Sequence, residues 1–399
     1  MRETNLQTTT WRKVKLGEVS ALITKGTTPT TIGGDFVSKG INFIKAESIT
    51  DDGRFIKEKF GHIDEKTNQL LKRSVILEND ILYSIAGVIG RSALVTKEVV
   101  PANINQALAI IRLDKNQADP KYIFYVLSTT KQRNLSNSFV AQSVQANINL
   151  KQVGDFGISL PEITVQKRIA DILSAFDDKI ELNNKISKNL EQTAQAIFKE
   201  WFGKSEKLKA KSEKLFKLGK IICGKTPSKS NLKYFGGEIP FIKIPDMHNQ
   251  MFILKTEDSL TEVGADSQKN KFIPRNSICV SCIATVGLVS ITTKDSQTNQ
   301  QINTIIPKSE SYLEFLYLAL KTIKNDLMLI GSGGSTTLNI NTSIFSNIEI
   351  LVPEEEVIDK FHKLANPMFN KILQINKENQ ELATLRDLLL PKLMRGEIV

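Results

Sequence analysis

Between residues 165 and 201 the chain reads VQKRIADILSAFDDKIELNNKISKNLEQTAQAIFKEW, and its seam positions advance in alternating steps of four and three. They are Ile169, Leu173, Phe176, Ile180, Asn183, Ser187, Leu190, Ala194, Ile197 and Trp201. That period predicts a long helix of the coiled-coil type. At about 1.5 Å per residue it is a rod of roughly 55 Å. A second seam follows Phe361, Leu364, Met368, Ile372, Ile375, Asn379, Leu382, Arg386, Leu389 and Leu393. Pro367 sits inside it and is expected to start or kink the helix. Polar residues hold the middle of each seam, Asn183 and Ser187 in one, Asn379 and Arg386 in the other. A buried Asn can fix register and pairing at a cost in stability. Two equivalent rods are expected to pair with each other, antiparallel. The bland alternative is an amphipathic helix packed on an ordinary core.

Outside the rods the apolar runs are short. Residues 276–293 (NSICVSCIATVGLVSITT) predict two buried strands around Gly287, and 327–348 a Gly-rich loop running into a strand. Ser, Thr, Asn and Gly dilute both stretches too far for a membrane helix.

The pattern is written twice. LGEVSALITKGTTP (16–29) is matched by LGKIICGKTP (218–227), shorter by four residues. GGDFVSKGINFIKAESI (33–49) answers GGEIPFIKIPDM (236–247), and ILENDILYSIAGVIG (76–90) answers IPRNSICVSCIATVG (273–287). Asn105-Gln106 with Ile110-Ile111 is paired with Gln300-Gln301 and Ile305-Ile306. From Asn147 onward the copies run without a gap at a shift of 192. The expected fold class is therefore α+β: two similar mixed α/β domains separated by two long antiparallel coiled-coil helices, an internal pseudo-two-fold repeat. The expected boundaries are 1–160 for the first domain, 161–203 for the first helix, 204–217 for a lysine-rich linker or helix extension, 218–352 for the second domain and 353–399 for the second helix. Leu173, Ile180, Asn183, Leu190, Ile372, Asn379, Leu382 and Leu389 are the expected coiled-coil seam.

Chemical motifs add little. Gly219–Thr226 (GKIICGKT) fits the phosphate-loop pattern G-x-x-x-x-G-K-S/T. Such a loop needs a buried strand before it and a helix opening at its end. Here a charged stretch precedes it, Pro227 follows, and the first copy lacks the motif. Cys279 and Cys282 form one C-x-x-C, with His62, His248 and His362 remote in sequence, so buried strand cysteines are expected and no metal site. Three cysteines make no disulfide framework, and the first ten residues hold no apolar core, so a cytoplasmic location is expected. No nucleophile–His–acid pattern, H-E-x-x-H or G-x-G-x-x-G appears, and no catalytic residue is expected.

Lys plus Arg number 53 against 43 Asp plus Glu, a formal charge of +10. Such an excess suits a partner rich in phosphate. Cations hold phosphates, while Asn, Gln, Ser and Thr read base edges. The candidate phosphate contacts are Lys25, Lys45, Arg91, Lys225 and Lys243. The candidates for base-edge or loop-shaping roles are Thr27, Ser84, Asn105, Gln106, Gln145, Ser281, Gln300, Gln301 and Ser335. Each residue alone could be a turn former. Their recurrence at equivalent places in both copies points to a shared binding surface. Two rival readings are a DNA methyltransferase carrying its own reader and a coiled-coil scaffold without DNA affinity.

The ordered, repeated set WRKVKLGEV (11–19), GKTP (224–227) with GGEIPFI (236–242), LPE (160–162) with QKRIA (166–170), DKIELNN (178–184), AIFKEWF (196–202) and LLLPKLMRGEI (388–398) resembles the specificity (S) subunits of type I restriction–modification systems. The resemblance covers nearly the whole chain. It implies that each globule is a target recognition domain for one half of a split, asymmetric double-stranded DNA sequence. It implies that the rods set the gap between half-sites and dock two modification subunits. It also implies that S-adenosylmethionine, ATP and magnesium belong to the modification and restriction subunits, with no cofactor on this chain.

Overall fold

A computed structural model of the chain describes residues 11–141, 147–203, 210–332 and 338–398. The chain divides into two compact units, Met1–Lys179 with Leu382–Val399, and Ile180–Glu381. The division falls inside both long helices, so each unit owns a part of each.

The first unit opens with strand Arg12–Lys15, which pairs antiparallel with Gly157–Leu160 and so closes the domain just before the first long helix, Ile163–Phe202. Between them lie two four-stranded sheets. One runs Ser20–Lys25, Leu108–Leu113, Ile81–Ser84, Ser92–Leu94; the other runs Gly61–Ile63, Phe36–Ile44, Ala102–Ile104, Val75–Ile76. Helices Pro120–Ser128 and Thr130–Ala141 follow. Alternation explains the sheets: Ile81 and Tyr83 face one core with Ile111 and Tyr122, while Leu82 faces another with Ile104 and Ile110.

The second unit repeats this order. Lys211–Lys214 pairs with Glu349–Val352, and strands Gly219–Cys223, Ile302–Pro307, Ile278–Ser281, Val289–Thr292 and Phe252–Ile253 form one sheet. Asp258–Leu260, Phe235–Ile242 and Gln297–Thr298 form the other. The strand pair around Gly287, φ +86°, is as expected. Asn79 and Asn276 hold positive φ at matching turns, 73° and 62°. Asn tolerates that region better than bulkier side chains.

Several expectations are corrected. Lys211–Lys214 is a strand of the second domain and Leu215–Lys217 a 3-10 turn, so this part of 204–217 is no linker. A charged stretch hid the strand because it is an edge strand with mostly exposed faces. The stretch 327–348 carries the end of helix Lys324–Gly331 and helix Thr342–Ser346 before strand Glu349–Val352. The second long helix, Glu355–Met394, begins well before Pro367, which therefore does not start it. Leu364 is 44% exposed, and Ala365 and Phe369 occupy the buried stripe instead.

The remaining seam residues pack within their own units. In the first, Leu173 shares a core with Leu389 and Leu393, and Arg386 NH1 meets Asp177 Oδ1 at 2.5 Å. Tyr125 OH donates to the other oxygen of Asp177 at 2.5 Å. In the second, Ala194, Phe361 and Ile372 share a core against which Leu190 packs. Asn183 is buried, and its Nδ2 donates to Asn379 Oδ1 at 2.8 Å and to Glu378 Oε2 at 3.0 Å. Asn379 returns a bond to Asn184 Oδ1 at 2.9 Å. With Phe198 against Phe361 at the far end, the pairing in this unit is antiparallel. Ile180 and Leu382 are half-buried. Among the described residues no helix is long and apolar enough to cross a membrane.

Candidate nucleic-acid interface

Four separate stretches meet at one end of the first unit. Strand Ser20–Lys25 delivers Gly26, whose N–H donates to Leu108 O at 3.3 Å. A Cβ on Gly26 would lie 2.1 Å from Ile104 O and 2.3 Å from Asn105 O, so only glycine lets the two segments cross here. Asn105 N donates to Ile44 O at 3.1 Å, which brings Lys45 alongside, and Asn105 Oδ1 caps Ala107 N at 3.3 Å. Ile85 N donates to Ala107 O at 2.8 Å, Ile148 N donates to Ile85 O at 2.9 Å, and Ala86 bridges Asn147. Residues 25–28, 83–87 and 103–106 thus form one surface with Asn147.

The second unit builds the same surface. Gly224 N donates to Ile302 O at 3.1 Å, and a Cβ there would lie 2.1 Å from Thr298 Oγ1 and 2.2 Å from Asn299 O. Asn299 N donates to Ile242 O at 3.1 Å, and Asn299 Oδ1 accepts from Gln301 N at 3.1 Å. Cys282 N donates to Gln301 O at 2.8 Å, Ile340 N donates to Cys282 O at 2.8 Å, and Ile283 bridges Asn339.

These bonds correct the internal alignment. Gly26 matches Gly224 and Leu16 matches Leu215, so the two openings differ by one residue and not four. Asn105-Gln106 matches Asn299-Gln300, one residue earlier than expected. Lys25 then corresponds to Cys223, and Lys225 to Thr27. The phosphate-loop pattern dissolves too. Gly219–Cys223 is itself a strand, Gly224 and Lys225 spend their N–H groups on Ile302 O and Thr298 O, and no helix opens at Thr226.

The individual candidates fall into three groups. Lys25 and Lys225 are exposed on the clusters, as are Gln106 and Gln300; Thr27 and Asn105 are half-buried there. A second group is already engaged. Arg91 Nε binds Asp51 Oδ1 at 2.6 Å and its NH1 donates to Ile49 O at 2.8 Å. Lys243 Nζ lies 2.9 Å from Asp258 and 3.0 Å from Glu257. The Asp258 bond, then Glu257, raises its ammonium above the usual lysine value, against the opposing effect of burial. Lys45 Nζ sits 5.2 Å from the Phe36 ring centroid. Gln301 Oε1 accepts from Asn299 Nδ2 at 2.9 Å. A third group shapes loops from inside: Ser84 Oγ accepts from Arg91 N at 2.8 Å and Ser281 Oγ from Leu288 N at 2.9 Å, both residues fully buried. Gln145 and Ser335 lie outside the described residues.

Thr28, Thr226 and Asn299 lie in the loops that the sequence marks but outside the individual candidate residues. The repeated Thr-Pro at 28–29 and 226–227 is the signal that marks them. A cavity of about 1350 Å³ in the first unit, among Trp11, Tyr122, Phe124 and Met394, includes none of the loop residues.

Among the described residues no group of three or more His, Cys, Asp or Glu could hold a metal ion. Cys279 and Cys282 are strand and hairpin residues, and burial pushes their thiols up to about 12 and about 11. The thiolate is the reactive form. At pH 8 a thiol reagent is expected to label one cysteine per folded chain quickly, the half-buried Cys223, and all three in denaturant; mass spectrometry of the labelled peptides checks it.

The family model described as "Type I restriction modification DNA specificity domain" matches residues 8–192 and again 210–382, one match for each copy of the repeat. The HindI type I restriction enzyme specificity subunit of Haemophilus influenzae is 35% identical, over 97% of this chain and 99% of the relative. The MjaIX specificity subunit of Methanocaldococcus jannaschii is 24% identical, over 97% and 93%. In three dimensions the chain is similar to the crystal structure of a type I restriction–modification S subunit from M. genitalium, with TM-score 0.59, 15% identity and 98% of both chains covered. That likeness supports the same fold. With two copies of one domain, a part of both long helices in each unit and a relative 35% identical over 97% of the chain, the chain belongs to the type I restriction–modification DNA specificity family.

Proposed function

We propose that each loop cluster contacts one half of a bipartite, asymmetric DNA target, and that the chain supplies sequence specificity without catalysing a reaction. The observation that carries this reading is the double construction of one loop surface from unlike side chains. Lys25, Thr27, Ala86 and Ala107 in the first unit stand where Cys223, Lys225, Ile283 and Gln301 stand in the second. A shared frame with different exposed groups suits two unlike half-sites. Side chains that differ at matched positions give base-edge contacts, and exposed lysines give phosphate contacts.

The paired helices serve as spacer and docking surface. Each has 40 residues and so a length of about 60 Å, enough for half-sites roughly 34–36 Å apart on one DNA face. Modification subunits dock on them and bring S-adenosylmethionine and methyl transfer; restriction subunits bring ATP-dependent cleavage. Salt-dependent DNA binding of the chain assembled with its modification subunits tests the reading. The double variant Lys25→Ala, Lys225→Ala is expected to bind less tightly and to lose about 1.8 from the slope of log K against log salt, about 0.9 per lost phosphate contact. An unchanged slope removes the lysines from the interface. Methyl transfer by the purified chain alone would favour a self-contained methyltransferase.

A further inference from the structure

Thr28 with Gln106, and Thr226 with Gln300, make one arrangement twice. In each unit the threonine hydroxyl donates to the glutamine Oε1, at 2.6 Å in the second. The acceptor end of each amide is thereby used inside the protein. Both glutamines are exposed, and among the described residues neither Nε2 has a protein partner. Each therefore presents two open N–H donors, while its carbonyl oxygen has one lone pair committed to the threonine. The backbone beneath is held by the asparagine cap one residue earlier and by the crowded glycine that crosses it.

An element common to both clusters cannot distinguish two unlike half-sites. Base edges offer acceptors at some steps and donors at others, whereas phosphate oxygens are acceptors at every step. A group whose oxygen is tied back to the protein and whose N–H donors stand open, used identically in both units, matches the part of the duplex that never changes. We propose that the side-chain amides of Gln106 and Gln300 each donate to a DNA phosphate oxygen, as sequence-independent pins that set each unit's register on the duplex. This rests on the reading of the loop clusters as DNA faces.

The test introduces a charge where the amide stands. Gln106→Lys and Gln300→Lys, each in the chain assembled with its modification subunits, are titrated with two duplexes across a salt series. One duplex carries the motif methylated in the host and the other a scrambled sequence. Each lysine is expected to steepen the slope by about 0.9 on both duplexes, with the methylated motif unchanged. Gln106→Ala is expected to weaken both duplexes by the same factor, roughly five-fold for one lost hydrogen bond. Thr28→Val, which keeps shape and loses the hydroxyl, should move in the same direction by less. A relaxed motif at one position in Gln106→Ala would make the amide a base reader and overturn the proposal. So would lysine variants with an unchanged slope while Lys25→Ala and Lys225→Ala still lower it. If none of these variants alters binding, the loop clusters are not the DNA face and the broader reading falls with the proposal.

Discussion

Exchange of residues 1–160 for those of a relative with a different target is expected to rewrite one half of the methylated motif and leave the other half intact. The junction is physical. Strand Gly157–Leu160 closes on Arg12–Lys15, and the long helix starts at Ile163, so the exchanged segment carries a complete loop cluster and no coiled-coil residue. The incoming segment must supply apolar side chains to meet Leu389 and Leu393, since the second helix packs on this domain's core. Each mismatched base pair costs about 1–3 kcal/mol. Over three base pairs the old half-site is therefore disfavoured by roughly a hundred-fold or more. Methylome sequencing of cells carrying the hybrid gives the answer. Changes in both halves would mean that specificity is not divided between the units.

Most of the architecture was legible because it rests on period and repetition. The seams in 165–201 and 361–393 are long enough for a helical period to dominate any local preference. The one misplaced seam position, Leu364, sits near the helix start, where Ile358, Phe361, Ala365 and Phe369 face the core of the second unit. A small residue, Ala365, holds the buried place, and a pattern read by hydrophobicity favours the neighbouring leucine.

Register inside the domains was harder. Leu215 and Leu218 are both buried, and a 3-10 turn sets residues three apart on one side. The dipeptide Leu218-Gly219 looks like Leu16-Gly17, although the strand pairings match Leu215 to Leu16. The double glycines misled in the same way: Gly33 precedes its strand, while Gly236 lies within Phe235–Ile242. Such matches are settled by backbone bonds between segments distant in sequence, which no local pattern contains. The site was legible as a set of loops. Which members are engaged inside was not, because the partners of Arg91 and Lys243, Asp51 and Asp258, come from other segments of the chain.

Glu314→Ala is expected to cost the second unit about 3–5 kcal/mol, as removal of one partner of a buried polar pair does. The Glu314 side chain is wholly buried on helix Tyr312–Thr322. Its carboxylate accepts from His362 Nδ1 at 2.6 Å and from Asn366 Nδ2 at 2.9 Å, both on the second long helix. Truncation strands both donors beside Phe361 and leaves a void the size of the lost side chain. Glu314→Gln retains an oxygen for one donor and is expected to cost less, about 1–2 kcal/mol. The chain has two tryptophans, and Trp201 lies tilted against Phe361 with ring centroids 5.9 Å apart, beside the network. In a Trp11→Phe background, Trp201 fluorescence during urea unfolding therefore follows this unit. A midpoint loss for Glu314→Ala no larger than that for Glu314→Gln would show that the carboxylate contributes no more than one neutral hydrogen bond. The first copy has Ala170 and Ser174 where His362 and Asn366 stand, and there Tyr122 OH, on helix Pro120–Ser128, donates to Ser159 O at 2.7 Å. The same helix sends Tyr125 OH to Asp177 of the first long helix, so each unit anchors this helix on a carboxylate, but through different donors.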